Sequence, residues 1–291
     1  MSPLRHLLHQ AARRLLDARC DDTLDEARLE AELLYGEAAG LDRAQVLATG
    51  SDEPPPEVSD RFEALLARRL AHEPLAYILG RRECFGLTFE VARGVLIPRP
   101  DTETLIEAAL EAVRAHPGAR RLVNVADVGT GSGVIALALA RHAPTAKVYA
   151  LDASTEALAI AGRNRRRLGL QDRVVLLAGD LLDALPVAAD VVVANLPYIP
   201  TAEVDRLAPE VRDWEPRAAL DGGPDGLDVI RALIARLPTH LAEVSAVLLE
   251  VGHDQAPEVA RLLDAALGVP ARLHHDLAGI ARVVEVRLGY D

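Results

Sequence analysis

The sequence predicts a doubly wound α/β domain with a mostly parallel sheet, preceded by a small helical domain and a β-hairpin linker. Three observations carry this. From Leu4 to about Ala71 the apolar residues recur only at helical spacing. The segment "ECFGLTFEVARGVLIPRP" then alternates aromatic and β-branched residues with polar ones, is punctuated by glycine and closes on prolines, as a hairpin does. Beyond Asp101, short apolar runs alternate with helical segments, the pattern of parallel strands covered on both faces. The expected boundaries are 1–75 for the helical domain, 76–100 for the linker and 101–291 for the α/β domain.

The first stretch, "MSPLRHLLHQAARRLL", mixes apolar and charged residues at helical spacing. It has no unbroken apolar core and no small-residue cleavage site, so it reads as a helix and not as a signal peptide. Thr23 followed by Glu26 has the form of a capping box ahead of an apolar stripe of Leu29, Leu33 and Leu34. "DEPPPEVSD" interrupts the pattern, and a further helix runs from Val58 to Ala71. In the α/β domain the strand-length runs are "RLVNVADVG", "AKVYALD", "RVVLLAGD", "DVVVAN" and "AVLLEVG". Ligands of such a sheet bind beyond the carboxyl ends of its strands.

Composition narrows the function classes. Half of the 291 residues are hydrophobic, yet runs such as "VIALALA" are too short to span a bilayer, so a soluble, cytoplasmic protein without a membrane partner is expected. A formal charge of -12 argues against direct, general binding of nucleic acid, which needs many phosphate-neutralising cations. The one basic cluster, "GRNRRRLG" at Gly162 to Gly169, falls late in a predicted helix, where cations suit the carbonyl end of the dipole. Cys20 and Cys84 lie far apart with no second ligand type beside them, so neither a disulfide nor a metal site is expected.

Chemistry concentrates at four strand ends. The first carries "DVGTGSG", where Gly129, Thr130, Gly131, Ser132 and Gly133 form a tight turn with a helix N-terminus behind it. "GSGVIA" also satisfies the dinucleotide pattern G-x-G-x-x-A, so this turn alone leaves a nicotinamide or flavin enzyme open. The second end places Asp152 where a carboxylate accepts both hydroxyls of a ribose, which suits NAD as well as S-adenosylmethionine. At the third, Asp180 is placed to accept from an adenine amino group and Leu181 to pack on its ring, although Asp180 also reads as a cap for the turn.

The fourth end, "NLPYIP", separates the cofactor readings. Hydride transfer has no use for Asn-x-Pro-Tyr, whereas methylation of a planar nitrogen does. Such a nitrogen is a poor nucleophile because its lone pair is delocalised, as an amide rotation barrier of roughly 18–20 kcal/mol shows. The Asn195 side-chain oxygen and the carbonyl of Leu196 would each accept one N–H, and Tyr198 would pack on the flat group. Pro197 biases residue 196 toward an extended backbone. Positioning of this kind reaches effective molarities of about 10⁵–10⁸ M and requires no metal.

These strings, with "EPLAYILGRRECFGLTFEVARGVLIPRPDTETLIE", "WEPRAALDGGPDGLDVIRALI", "LLLEVGHDQA" and "DLAGIARVVEVR", resemble the release factor glutamine methyltransferases, the PrmC/HemK family, over about 70 to 291. The resemblance implies a class I (Rossmann-like) methyltransferase domain with a mostly parallel seven-stranded sheet. It implies transfer of a methyl group from S-adenosylmethionine, leaving S-adenosylhomocysteine, to the side-chain amide nitrogen (N5) of the glutamine in the Gly-Gly-Gln loop of peptide chain release factors. By the same resemblance Gly129 to Gly133, Asp152, Leu181 and Asn195 surround the cofactor and Asn195, Leu196, Pro197 and Tyr198 hold the glutamine. The N-terminal helices and hairpin would grip the release factor, and Arg99 and Glu103 would order the pocket wall.

Two positions depart from the family, Leu196 where proline is usual and Leu181 where an aromatic residue is common. Asn-Leu-Pro-Tyr is also the form that resembles the ribosomal RNA adenine dimethyltransferases, so an adenine N6 methyltransferase acting on RNA or DNA is the alternative. The absence of a basic target-recognition domain and the acidic charge favour the release factor. His253, just past a strand-end glycine, reads as a loop or cap residue, and Trp214 as a packing anchor.

Overall fold

A computed structural model describes residues 3–49, 53–118 and 121–290; Asp52, the first residue of the proline-rich interruption, lies outside them. The chain divides into two compact units, Met1–Gly80 with Ala208–Trp214, and Arg81–Leu207 with Glu215–Asp291.

The first unit is helical: α1 (Pro3–Asp17), α2 (Leu24–Ala39), α3 (Arg43–Ala48), α4 (Pro56–Leu70) and α5 (Leu75–Leu79). The Thr23–Glu26 capping box forms, and Asp42 with Gln45 makes a second one ahead of α3. The buried face of α2 differs from the expected stripe. It runs Ala27, Ala31, Leu34, Tyr35 and Ala38, while Leu29 is exposed and Leu33 half-buried. Small alanines at i, i+4 and i+11 let α2 pack closely on its neighbours, and a leucine-only stripe misses this face. Residues 76–79 are helical and not part of a hairpin, because Pro74 starts α5 and Gly80 ends it in the left-handed conformation.

In the second unit the hairpin is β1 (Arg81–Cys84) and β2 (Leu87–Glu90), paired antiparallel across Phe85 and Gly86. After it come α6 (Thr102–Ala115), β3 (Val123–Val128), α7 (Val134–His142), β4 (Ala146–Asp152), α8 (Thr155–Arg167), β5 (Val174–Ala178) and β6 (Ala189–Ala194). Short helices α9 (Thr201–Val204) and, in the segment that groups with the first unit, α10 (Pro209–Arg212) precede α11 (Asp228–His240), β7 (Leu241–Glu250), α12 (Ala256–Leu267), β8 (Arg272–His275) and β9 (Ala281–Leu288).

The seven strands are ordered β5-β4-β3-β6-β7-β9-β8, parallel except for β9, which runs antiparallel to both its neighbours. Alternation within strands splits the core in two. Val191 and Val193 face the layer built by α6 and α7, whereas Val192 and Ala194 face α11 and α12. The chain enters at central β3, builds outward to β5 and returns to β6 on the other side of β3. That reversal opens a crevice at the strands' carboxyl ends.

The basic run of α8 is consumed structurally. Arg163 pairs with Glu90 at 2.7 Å, Arg165 donates to the Val174 carbonyl at 2.8 Å, and Arg167 donates to the Thr88 carbonyl. Among the described residues no helix is long and apolar enough to cross a membrane.

Candidate functional site

The crevice holds a cavity of about 370 Å³, a size typical of small-molecule sites at roughly 300–1,000 Å³. Its walls bring together most of the residues singled out by sequence: Gly129, Thr130, Gly131, Ser132, Asp152, Asp180, Leu181, Asn195, Leu196 and Pro197. Gly133 and Tyr198 are not on the wall. Gly133 caps the start of α7, and Tyr198 stands three positions past Asn195 in the loop after β6.

The turn after β3 is held from beneath. Asp127 is buried, and its Oδ2 accepts from the Thr130 hydroxyl at 2.6 Å and from the Ala136 N–H at 3.0 Å. Burial outweighs both bonds and pushes its carboxyl up to about 7. Gly129 has φ +74°, and a Cβ there would come within 3.0 Å of the Leu196 side chain, so the two strand-end loops touch at this glycine. Asp152 joins the turn to β4: Oδ2 accepts from Gly131 N–H at 2.8 Å and Oδ1 from Ser154 N–H at 2.8 Å. A carboxylate has about four acceptor positions, so both oxygens keep capacity toward the cavity.

Asp180 is exposed and ion-paired to Arg236 at 2.7 Å, and its carbonyl accepts from Asp183 N–H at 3.0 Å, so the capping role and the place on the wall coexist. Leu181 has φ +48°, a left-handed conformation that costs a leucine about 1–2 kcal/mol. The strain holds an apolar side chain on the wall.

Asn195 follows the last residue of β6, and its Nδ2 donates to the Thr102 hydroxyl oxygen at 3.2 Å. With the nitrogen so engaged, the side-chain oxygen is the end left for the cavity. Behind this pair lies Glu250, the last residue of β7, 2% exposed and with no hydrogen-bond partner for Oε2. Burial pushes its carboxyl up to about 7, against the pull of Thr102, Arg282 and Asn195.

The outer side of the loop is fastened by the "DGGPDG" segment. Ile199 N–H donates to the Leu220 carbonyl at 3.0 Å, Gly222 N–H to the Ile199 carbonyl at 2.9 Å, and Gln255 Nε2 to the Tyr198 carbonyl at 2.8 Å. Gly226, at φ +77°, lies so close that a Cβ would collide with the Tyr198 carbonyl oxygen. Burial pushes the Tyr198 hydroxyl up to about 12, with Glu250, Arg282, Arg99 and Asp101 as the charges around it.

Arg99 ion-pairs with buried Glu215, whose other oxygen accepts from Ile97 N–H at 3.0 Å, and so ties together the segments that carry Pro98 and Pro216 on the cavity wall. Glu103 differs from expectation: it accepts from Phe85 N–H at 2.8 Å and fixes the hairpin turn. His253 is exposed and pairs with Asp254 at 2.6 Å. Sequence reasoning passed over Thr102, Asp127, Glu250 and Gln255. The available signal for Glu250 was an acidic residue closing an otherwise apolar strand, "AVLLE".

Family models match two parts of the chain, the PrmC N-terminal domain over residues 6–80 and the methyltransferase small domain over residues 106–210. The release factor glutamine methyltransferase of Bradyrhizobium diazoefficiens is 43% identical over 280 residues, covering 96% of this chain and 94% of the relative. That of Moorella thermoacetica is 46% identical over 260 residues, covering 89% of each. Among solved structures, the Thermus thermophilus 16S rRNA N2 G1207 methyltransferase, in complex with AdoMet and guanosine, superposes with a TM-score of 0.52 at 19% identity, over 72% of this chain and 49% of that one. This last likeness is one of fold.

Proposed function

The chain belongs to the release factor glutamine methyltransferase family, and on that premise we infer that it transfers a methyl group from S-adenosylmethionine to the side-chain amide nitrogen (N5) of the glutamine in the Gly-Gly-Gln loop of peptide chain release factors. The observation that carries the reading is the placement of Asn195. It shares one cavity wall with Asp152 and the glycine turn, and its own nitrogen is occupied by Thr102.

The cavity suits the cofactor. The turn from Gly129 to Ser132 gives close backbone approach, Asp152 keeps acceptor capacity for a ribose, and Leu181 offers an apolar face for a base. Asp180, already paired to Arg236, is the acceptor for an exocyclic amine. When bound, S-adenosylmethionine supplies a methyl group activated by a sulfonium. The chain's own work is to orient the nucleophile. Asn195 Oδ1 and the Leu196 carbonyl each accept one N–H of the glutamine amide, which aims its nitrogen at the methyl group, and Tyr198 backs the planar group. The methyl group would pass from the sulfonium to the nitrogen held by Asn195 and Leu196, giving N5-methylglutamine, a thioether and a proton released to solvent. Leu196 replaces a stiffer proline yet retains the acceptor carbonyl, and its side chain, 5% exposed, is fixed by packing in the core.

The helical first unit and the hairpin are assigned to gripping the release factor, and the reaction to the cytoplasm, where translation takes place. The test is incubation with radiolabelled S-adenosylmethionine and purified release factor, with the loop glutamine intact or changed to alanine. Label on the intact protein alone is expected. Equal labelling of both, or label in ribosomal RNA or DNA, overturns the reading.

A further inference from the structure

We propose that Glu250 is a positioning residue that sets, together with Thr102, which end of the Asn195 amide faces the substrate. The role rests on the methyl-transfer reading above and deepens it.

A primary amide has two ends of nearly equal shape and opposite hydrogen-bonding character. With Oδ1 toward the cavity, Asn195 accepts an N–H from the glutamine nitrogen. With Nδ2 toward it, Asn195 presents N–H against N–H and repels the substrate. Thr102 cannot choose between them, because a hydroxyl both donates and accepts. The direction is fixed by Glu250, at the end of β7 and 2% exposed, which meets the side chains of both Thr102 and Asn195. An ionised carboxylate only accepts. It therefore draws an Asn195 N–H and the Thr102 hydroxyl proton toward itself and leaves Thr102 Oγ1 as an acceptor, which Asn195 Nδ2 fills at 3.2 Å. Asn195 Oδ1 is then left for the cavity. Protonated Glu250 inverts the chain: its O–H donates to Thr102, Thr102 donates to Asn195 Oδ1, and the amide turns its nitrogen to the substrate.

Three further features fit this role. Thr102 is itself only 4% exposed and lies on the cavity wall with Asn195. Glu250 Oε2 has no hydrogen-bond partner, so the carboxylate is not spent on holding the sheet together. The charged and titratable groups facing Glu250 come from separate elements: Asp101 ahead of α6, Arg282 on β9, Tyr198 on the loop after β6 and Cys84 on β1. Asp101 raises the carboxyl and Arg282 lowers it, and the two are ion-paired with each other at 3.0 Å. Glu250 consequently ionises near neutrality, within the range where the direction of the chain matters.

Steady-state methylation of release factor between about pH 6 and 8.5 tests this, with cofactor affinity measured by calorimetry. For the wild type, kcat is expected to fall toward acid pH. Glu250→Gln can donate or accept at Thr102, so its kcat is expected to drop about tenfold or more, with KM for release factor and affinity for S-adenosylmethionine nearly unchanged, and its acid limb to vanish. Thr102→Val breaks the same chain, and Thr102→Ser, which keeps the hydroxyl, is expected to recover most of the turnover that valine loses. Wild-type kcat in Glu250→Gln, or lowered kcat with the acid limb retained, overturns the role and leaves a merely structural carboxylate. If Glu250→Gln fails to bind cofactor, the Thr102 pair decides: equal turnover of the valine and serine variants overturns the proposal. Absence of label with the wild type removes the parent function instead, and with it this role.

Discussion

At the scale of single residues, the task proposed for Asn195 is one that its identity permits and its neighbours enforce. Its side-chain oxygen is useful only because Thr102 occupies the nitrogen. Asn195→Ala removes the acceptor without touching Asp152 or the glycine turn, so turnover is expected to fall by roughly 10²–10³, the loss typical of deleting one preorganised polar group. Cofactor affinity, read by calorimetry, is expected to change little; a proportionate loss of affinity would make Asn195 a cofactor residue. Sequence identified Asn195 and Asp152 because each closes an apolar run and stands within a recognisable string. Thr102 and Glu250 were not legible. They come from α6 and β7, separated by well over a hundred positions, and only the fold shows that they share a buried polar pocket. The strained φ of Leu181 was likewise invisible, since nothing in "GDLLDAL" marks a left-handed leucine.

At the scale of elements, the substrate loop owes its shape to a segment some twenty-five residues downstream of it. The chain passes so close that Gly226 leaves no room for a Cβ beside the Tyr198 carbonyl, and Gln255 from the start of α12 donates to that same oxygen. Gly226→Ala must displace the loop, and it also places an alanine at φ +77°. A displacement of about 1 Å at a reacting centre costs on the order of 10²-fold. The expected result is therefore a loss of kcat/KM of that order with cofactor affinity preserved, read from release-factor kinetics alongside calorimetry. Elements of this unit with short continuous apolar runs or glycine signals were legible, as β3 to β7 and the turn after β3 show. The face of α2 was not, because alanines at close helix contacts carry little hydrophobic signal beside leucine. The hairpin began later than expected, since a five-residue helix between Pro74 and Gly80 is too short to show a period.

At the scale of the whole molecule, two acids at the heart of the catalytic sheet set stability against activity. Asp127 and Glu250 are both nearly inaccessible, and burial holds both near 7, well above the ordinary carboxylate range near 4. Between about pH 4.5 and 7 the folded state therefore binds these protons more tightly than the unfolded chain does, and stability falls as pH rises through that window. A tenfold difference in proton affinity between the folded and unfolded chain is worth about 1.4 kcal/mol, so each of the two groups forfeits on the order of a few kcal/mol by pH 8. Ionised Glu250 is also the form that directs Asn195, so turnover is expected to rise over the interval in which stability declines. Differential scanning calorimetry should show a higher unfolding temperature for the sheet-containing unit at pH 5.5 than at pH 8, and Asp127→Asn and Glu250→Gln should each flatten that dependence. An unfolding temperature that rises from pH 5.5 to 8 would mean that these carboxylates are stabilised as anions in the fold, and that burial does not govern them.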